Sequence, residues 1–411
     1  MISDSLPTDL ITEILSRLPA KSLARFRSVS KQWASIIDQT QFKHLFLTKS
    51  SSHPRLTFAI EEKGLWSIFS SPQQHLIPHD DKASSSSSSL VVTPEFHMKF
   101  PPGPMRIFRR GDRQFACGYA SGLVYFYGMI TGLEDKDEAP SYSFFGFDPV
   151  GKQYKVLHVA YPCGPDDHRV MTLGARGARW RKVDCSLGLV VKMSEGICIN
   201  GVLYYLGDTS ENKFRYVIAC FDVRSEKFSF LYPESLCELI NYNGKLGVVY
   251  YDDLSDDAIE LRVWVLEDVE KQEWSKYAYA LKVDKLFPSY VSAVGVISTG
   301  EIVLSMADYT SRQPFYVYYF NPEGNTIRRF EIQGFGEYHG ASNDPRRVHV
   351  FVDDCSRSYR FADHVEDLNV KDPTLLKSSI YVPYVYNEES EEDEEYEVNN
   401  GRRFRGKKKR G

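Results

Sequence analysis

Asp252, Asp253, Asp256 and Asp257 crowd the stretch YDDLSDDAIE, and clustered carboxylates are raw material for a cation site or for acid–base work. Their spacing does not fit a helix–loop–helix calcium loop, so a solvated acidic loop is expected. The seven cysteines (Cys117, Cys163, Cys185, Cys198, Cys220, Cys237 and Cys355) include no CxxC pair, and their number is odd. That pattern argues against a zinc site or a disulfide framework and for buried free thiols in a reducing compartment. Cys355, in DDCSRS, has no recognisable histidine partner, and the ten histidines are scattered. GARGARW (Gly174–Trp180) is rich in glycine but lacks the lysine and the following helix of a phosphate loop, and no GxSxG elbow occurs. No catalytic, cofactor-binding or metal-binding residue is assigned, and the chain is expected not to be an enzyme.

The elements must therefore present surfaces rather than position reacting groups. A chain of 411 residues has room for two or three domains, and its 26 tyrosines and 25 phenylalanines favour strands. A formal charge of -5 is too small to imply a nucleic-acid or membrane partner. No basic segment followed by an apolar run opens the sequence, and no stretch reaches the roughly 18 apolar residues of a membrane span. Cytoplasm or nucleus is the expected location.

The first 47 residues read as helical. Leu10, Ile11, Ile14, Leu15 and Leu18 recur at helical spacing, with Pro7 suited to the first position and Pro19 ending the helix at Leu18. A second helix is predicted over Lys21–Arg27, with Leu23 and Phe26 inward. A third is predicted over Ser30–Asp38, where Trp33, Ile36 and Ile37 share a face. Helices this small cover less apolar surface than they carry. Part of it should pack on the rest of the chain, as a simple cap, or on another protein.

The ordered set Leu6-Pro7, Leu10, Glu13-Ile14-Leu15, Arg17-Leu18-Pro19, Lys21-Ser22-Leu23, Arg25, Arg27, Val29-Ser30-Lys31 and Trp33 resembles the F-box motif. The resemblance implies docking onto a Skp-type adaptor and, through it, a cullin-RING ubiquitin ligase. It assigns Leu6, Pro7, Ile11, Leu15, Leu18, Pro19 and Leu23 to adaptor contact. Ile14, Phe26, Val29, Trp33 and Ile37 are assigned to the core of the helices.

From about Arg55 the pattern becomes strand-like. Phe144–Leu157, Ile218–Leu231, Val263–Tyr277 and Val317–Phe330 each place an apolar strand, a turn rich in Asp, Asn, Pro or Gly, and a return strand. Phe147 to Tyr154, Phe221 to Phe228 and Phe320 to Ile327 share one spacing, and Leu266 to Trp274 is a residue longer. Between them lie hairpins turning at Asn200-Gly201, Asn243-Gly244 and Thr299-Gly300. One hairpin of each kind makes a four-stranded unit of about 45–55 residues, the period of a propeller blade. A large antiparallel sandwich is the alternative.

ASGLVYFYG, FGFDPVGKQYKVL, GICINGVLYYL, CFDVRSEKFSF and DHVEDL resemble phrases of the F-box-associated domain of a large plant F-box family. Over residues 55–370 the resemblance implies an all-β, kelch-like propeller closed by pairing of its terminal strands, with six blades. One blade would be incomplete, because MITGLEDKDEAPSYS replaces the strand and turn expected after Tyr125. The chain then reads as a multi-domain substrate receptor of an SCF-type ligase that recruits an unidentified protein target. A non-degradative F-box scaffold and a kelch-like propeller enzyme are the alternatives. HDDKASSSSSSL (His79–Leu90) reads as a flexible insertion, and residues 385–411 as a disordered tail, acidic then basic. The basic run Arg402–Arg410 fits a solvated tail, a nuclear-import signal or a nucleic-acid patch.

Overall fold

The computed structural model describes residues 6–52, 54–62, 65–73, 90–100, 117–126, 141–160, 164–174, 179–191, 196–209, 216–255, 258–282, 291–306, 308–309, 314–335 and 356–364. Cys163, Asp256, Asp257, Cys355, the serine run and the tail lie outside these residues. Four helices come first: α1 (Thr8–Leu15), α2 (Ala20–Phe26), α3 (Lys31–Asp38) and α4 (Thr40–Ser51). The expectation of three helices is corrected by α4. Its Phe42 and Phe46, one turn apart, are buried and close the helical core from below, while Lys43 between them is also buried and blurs the stripe. Pro7 stands just outside α1 rather than in its first turn, and α1 ends at Leu15, with residues 16–18 in a turn held by Arg17 N–H to Ile14 O at 3.2 Å. Ser30 caps α3 by accepting the Trp33 N–H at 3.1 Å.

Among the described residues, five sheets of four or five strands and one two-stranded sheet follow. The first sheet runs Asp308–Tyr309, Ser356–His364, Arg55–Glu62, Leu65–Pro72, Glu95–Phe100 from edge to edge. A late strand thus closes on the first one, with His364 opposite Arg55. The second sheet holds Ser141–Asp148, Gln153–Ala160, His168–Thr172 and Arg181–Lys182. The third is built on Val202–Asp208, Tyr216–Asp222 and Lys227–Leu231, the fourth on Glu238–Tyr242, Lys245–Ser255, Ala258–Asp268 and Glu273–Lys282. The fifth holds Val291–Val296, Ile302–Met306, Phe315–Asn321 and Thr326–Ile332, and Leu90–Val92 joins its outer edge in parallel. Against the expectation of six blades with one incomplete, the described residues form five full sheets and the hairpin Cys117–Ala120/Leu123–Phe126. That hairpin packs on the second sheet, where Ala120 shares a cluster with Phe145, Tyr154 and Val156, and Tyr154 donates to Ser121 O at 2.9 Å.

The repeated hairpins follow one local rule. Asp148, Asp222, Asp268 and Asn321 each accept a backbone N–H from inside the turn at 2.6–2.9 Å. The turn then ends on a left-handed residue, Lys152, Glu226, Gln272 or Asn325. Phe147–Tyr154, Phe221–Phe228, Leu266–Trp274 and Phe320–Ile327 are directly opposed across their strands, and the longer spacing of the third is absorbed by a bulge between Leu266 and Asp268. Asn200-Gly201 and Asn243-Gly244 both have positive φ, as a two-residue hairpin turn demands. The first hairpin departs from the others in placement. Phe144–Leu157 occupies the leading pair of its sheet, whereas the other three occupy trailing pairs.

Neighbouring sheets are keyed together by these turns. Asn200 Nδ2 donates to Gly244 O at 2.8 Å, and Lys155 Nζ reaches Val223 O and Glu226 Oε1, each at 2.6 Å. Gly146 is required here, since a Cβ on it would lie 2.7 Å from Val223. Apolar clusters fill the space between sheets, and the one uniting Leu56, Phe58 and Phe69 with Val317, Phe330 and Phe335 joins the first sheet to the fifth.

Alternating strand direction gives the ring two unlike ends. The short inner turns at residues 200–201, 243–244 and 297–301 share one end with the start of strand Arg55–Glu62, where the helices attach. The far end of that strand, at Glu61, lies opposite Arg357, which also pairs with Asp308 in the connection between Met306 and Phe315. The connection 232–237 leaves from this second end, and strands Val202–Asp208 and Glu273–Lys282 finish there.

Candidate protein-docking face

Helix α1 carries two apolar rows about 100° apart. Ile11 and Leu15 point inward and join Leu23, Ile36, Ile37, Phe42 and Phe46 in one cluster, with Leu18, Phe26 and Trp33 packed at its margin. Leu10 and Ile14 point outward and continue the row begun by Leu6 before the helix; these side chains remain 52%, 51% and 54% exposed. Pro7 is exposed beside them, and Val29, after α2, is 62% exposed.

The sequence-based division of roles is therefore redrawn. Ile11, Leu15 and Leu23, assigned to adaptor contact, form the core, because helical phase turns them toward α3 and α4. Ile14 and Val29, assigned to the core, face solvent. Leu6 and Pro7 are exposed, Leu18 and Pro19 half-buried. Ile37 is buried, and the half-buried Phe26 and Trp33 pack ring to ring at 5.0 Å. Leu10 belongs to the helical stripe and to the motif but carries no assigned role there, although its i, i+4 spacing to both Leu6 and Ile14 marks the row.

A polar clasp holds α1 in this orientation. Lys49 of α4 donates to Glu13 Oε2 at 2.9 Å and to Ser16 Oγ at 2.8 Å, and Arg17 pairs with Glu13 from the other side at 2.6 Å. The Lys49 and Arg17 hydrogen bonds hold the Glu13 carboxyl below its ordinary pKa. With α1 so fixed, the outer row cannot roll inward, and covering it would need another surface.

Among the described residues no group of three or more His, Cys, Asp or Glu side chains could hold a metal ion. Asp252 is engaged by Arg262 at 2.8 Å. Burial pushes the Cys220 and Cys237 thiols up to about 12 and raises those of Cys185 and Cys198, which keeps them protonated and unreactive. Ser143 Oγ lies 3.3 Å from His158 Nδ1, but both side chains are buried and His158 packs on Trp180. His75 and His79, four apart in sequence, qualify the description of scattered histidines and lie outside the described residues. Among the described residues no helix is long and apolar enough to cross a membrane.

Comparison with known proteins agrees with this architecture. The F-box domain model matches residues 3–45, and the F-box associated beta propeller domain model matches residues 55–365. F-box protein At1g47340 of Arabidopsis thaliana is 60% identical over 403 residues, spanning 93% of this chain and 87% of that protein. F-box protein At2g15640 of the same plant is 46% identical, spanning 96% of this chain and all (100%) of the other. Putative F-box protein At2g16220, also from Arabidopsis thaliana, is 48% identical over 97% of this chain and 98% of its own length. With a helical F-box leading into a ring of sheets, the chain belongs to the plant F-box proteins that carry a C-terminal F-box-associated β-propeller domain.

Proposed function

We propose that this protein is the substrate-recognition subunit of an SCF-type ubiquitin ligase, working in the cytoplasm or nucleus. Leu6, Pro7, Leu10 and Ile14 dock a Skp-type adaptor, with Val29 and the half-buried Leu18 and Pro19 at the margin. The observation that carries this is the outer row of α1, left uncovered by the chain's own sheets within an F-box. Each half-exposed Leu or Ile covered by a partner returns roughly 1 kcal/mol, so the row acts as a group rather than through one anchor.

The target is engaged at the second end of the ring, away from the helices. The two partners then approach from opposite ends and do not compete. The chain contributes position rather than bond chemistry: holding the target near the charged ubiquitin enzyme raises the effective concentration of its lysines. The test is reconstitution of the full-length chain with a recombinant Skp-type adaptor, a cullin-RING module and a ubiquitin-loaded conjugating enzyme. Stoichiometric capture of the adaptor and ubiquitin transfer that depends on this chain are expected. Absence of capture would overturn the reading.

A further inference from the structure

Among the described residues the helices and the sheets do not share an apolar cluster. The helical cluster draws only on residues of the four helices and their turns, and the nearest sheet cluster draws on none of these. The covalent link is short, Ser52 to Pro54, between the end of α4 and the start of the first strand. A short link limits separation but does not by itself set an angle. Whatever fixes the angle between the F-box and the ring has to be found at a second point.

Lys21, in the first turn of α2, supplies one. Its Nζ donates to the Phe96 carbonyl at 3.0 Å and stands 5.8 Å from the centre of the Phe96 ring. Phe96 lies in Glu95–Phe100, which stands at the edge of the first sheet among the described strands. Its footing is firm, since the Phe96 ring packs against Phe69 at 5.5 Å and Phe69 is in the core.

The surrounding contacts extend this foothold into a seam. Arg55, the first strand residue after the link, donates to Ser70 Oγ at 2.7 Å and pairs with Glu95 at 3.0 Å. Ser70 Oγ lies 2.6 Å from His97 Nε2, and the Gln73 N–H reaches back to Pro54 O at 3.3 Å. Three strands and Pro54 are thus bonded to one another where Lys21 lands.

We propose that Lys21 is a positioning residue: it locks the F-box to the outer edge of the first sheet and so sets the direction in which a captured target is presented. The consequence for presentation rests on the receptor reading above; the lock itself does not. The test uses the full-length chain carrying donor and acceptor dyes on non-natural amino acids at Gln32 in α3 and Glu270 in a turn of the fourth sheet, both exposed. Single-molecule energy transfer on the unaltered chain should give one narrow distance population. Lys21→Met, which keeps the aliphatic stem but not the donor, should lose that single peak to a broad or split distribution, while Lys21→Arg should retain it. Melting of the sheets and adaptor capture should be unchanged in Lys21→Met, which separates a lost lock from a lost fold. An equally narrow population in Lys21→Met, or a broad one in the unaltered chain, would overturn the proposal. Failed adaptor capture alongside a Lys21-dependent narrow peak would count against the receptor reading and leave the lock standing.

Discussion

In the sheets a residue's partner stands at a fixed distance along the chain; in the helices it does not. Phe221 meets Phe228 because a turn opened by Asp222 and closed by left-handed Glu226 leaves no other register. Ile11 and Leu10 are adjacent and equally apolar, yet one is buried and the other is half exposed. A hairpin carries its own instructions for pairing. A helix carries only the angles between its side chains, and the neighbouring helices decide which row turns inward.

The largest effect should come from treating the inner row of α1 as if it were the outer one. Leu15 is 1% exposed, and Leu15→Asp should cost about 4 kcal/mol or more by placing a carboxylate in the helical core. Helical circular dichroism should be lost at a temperature where the near-ultraviolet signal of Trp264 and Trp274, in the fourth sheet, persists. Simultaneous loss of both signals would mean that the helices and sheets fold as one unit, contrary to their separate cores.

Next comes the seam between the second and third sheets. Lys155 is nearly buried, and its ammonium is held by Glu226, which also takes Arg181. Glu226→Ala leaves that ammonium the Val223 carbonyl but no counter-charge and should cost about 3 kcal/mol in chemical denaturation. Lys155→Met, which removes the charge along with its need for a partner, should cost less. The reverse order would place the stabilisation in the turn rather than in the ion pair.

The smallest expected effect is a pH dependence. His168 is fully buried, with Tyr205 OH 3.3 Å from Nε2, Gly164 O 3.2 Å from Nδ1, the Phe228 ring edge-on and Asp167 nearby. Burial lowers its pKa, against the opposing pull of the Gly164 carbonyl and Asp167. Below the ordinary imidazole value of about 6.5 the unfolded chain binds a proton that the native chain refuses, so stability falls with acidification and is level above it. The slope for this one proton cannot exceed about 1.4 kcal/mol per pH unit. His168→Gln should flatten this part of the profile measured between pH 7.5 and 5.5; an unchanged slope would assign the titration elsewhere.

What could be read from the sequence follows the same division. The Asn-Gly turns and the cross-strand pairs are local, and both are where spacing put them. The pairing of Arg55–Glu62 with Ser356–His364 and that of Leu90–Val92 with Phe330–Ile332 join distant segments that no periodicity connects. The leading position of Phe144–Leu157 in its sheet also depends on strands that come later, His168–Thr172 and Arg181–Lys182. At the docking face the apolar inventory was legible, but the choice between rows depended on α4, whose buried Lys43 interrupts the stripe.

The most direct measurement is a titration of the full-length chain with a Skp-type adaptor, comparing the unaltered protein with Leu10→Asp/Ile14→Asp. Both substitutions fall on the exposed row, so circular dichroism and melting should stay as they were while adaptor binding disappears. Binding of undiminished strength by a folded double variant would show that the adaptor sits elsewhere and would contradict the assignment of the outer row of α1.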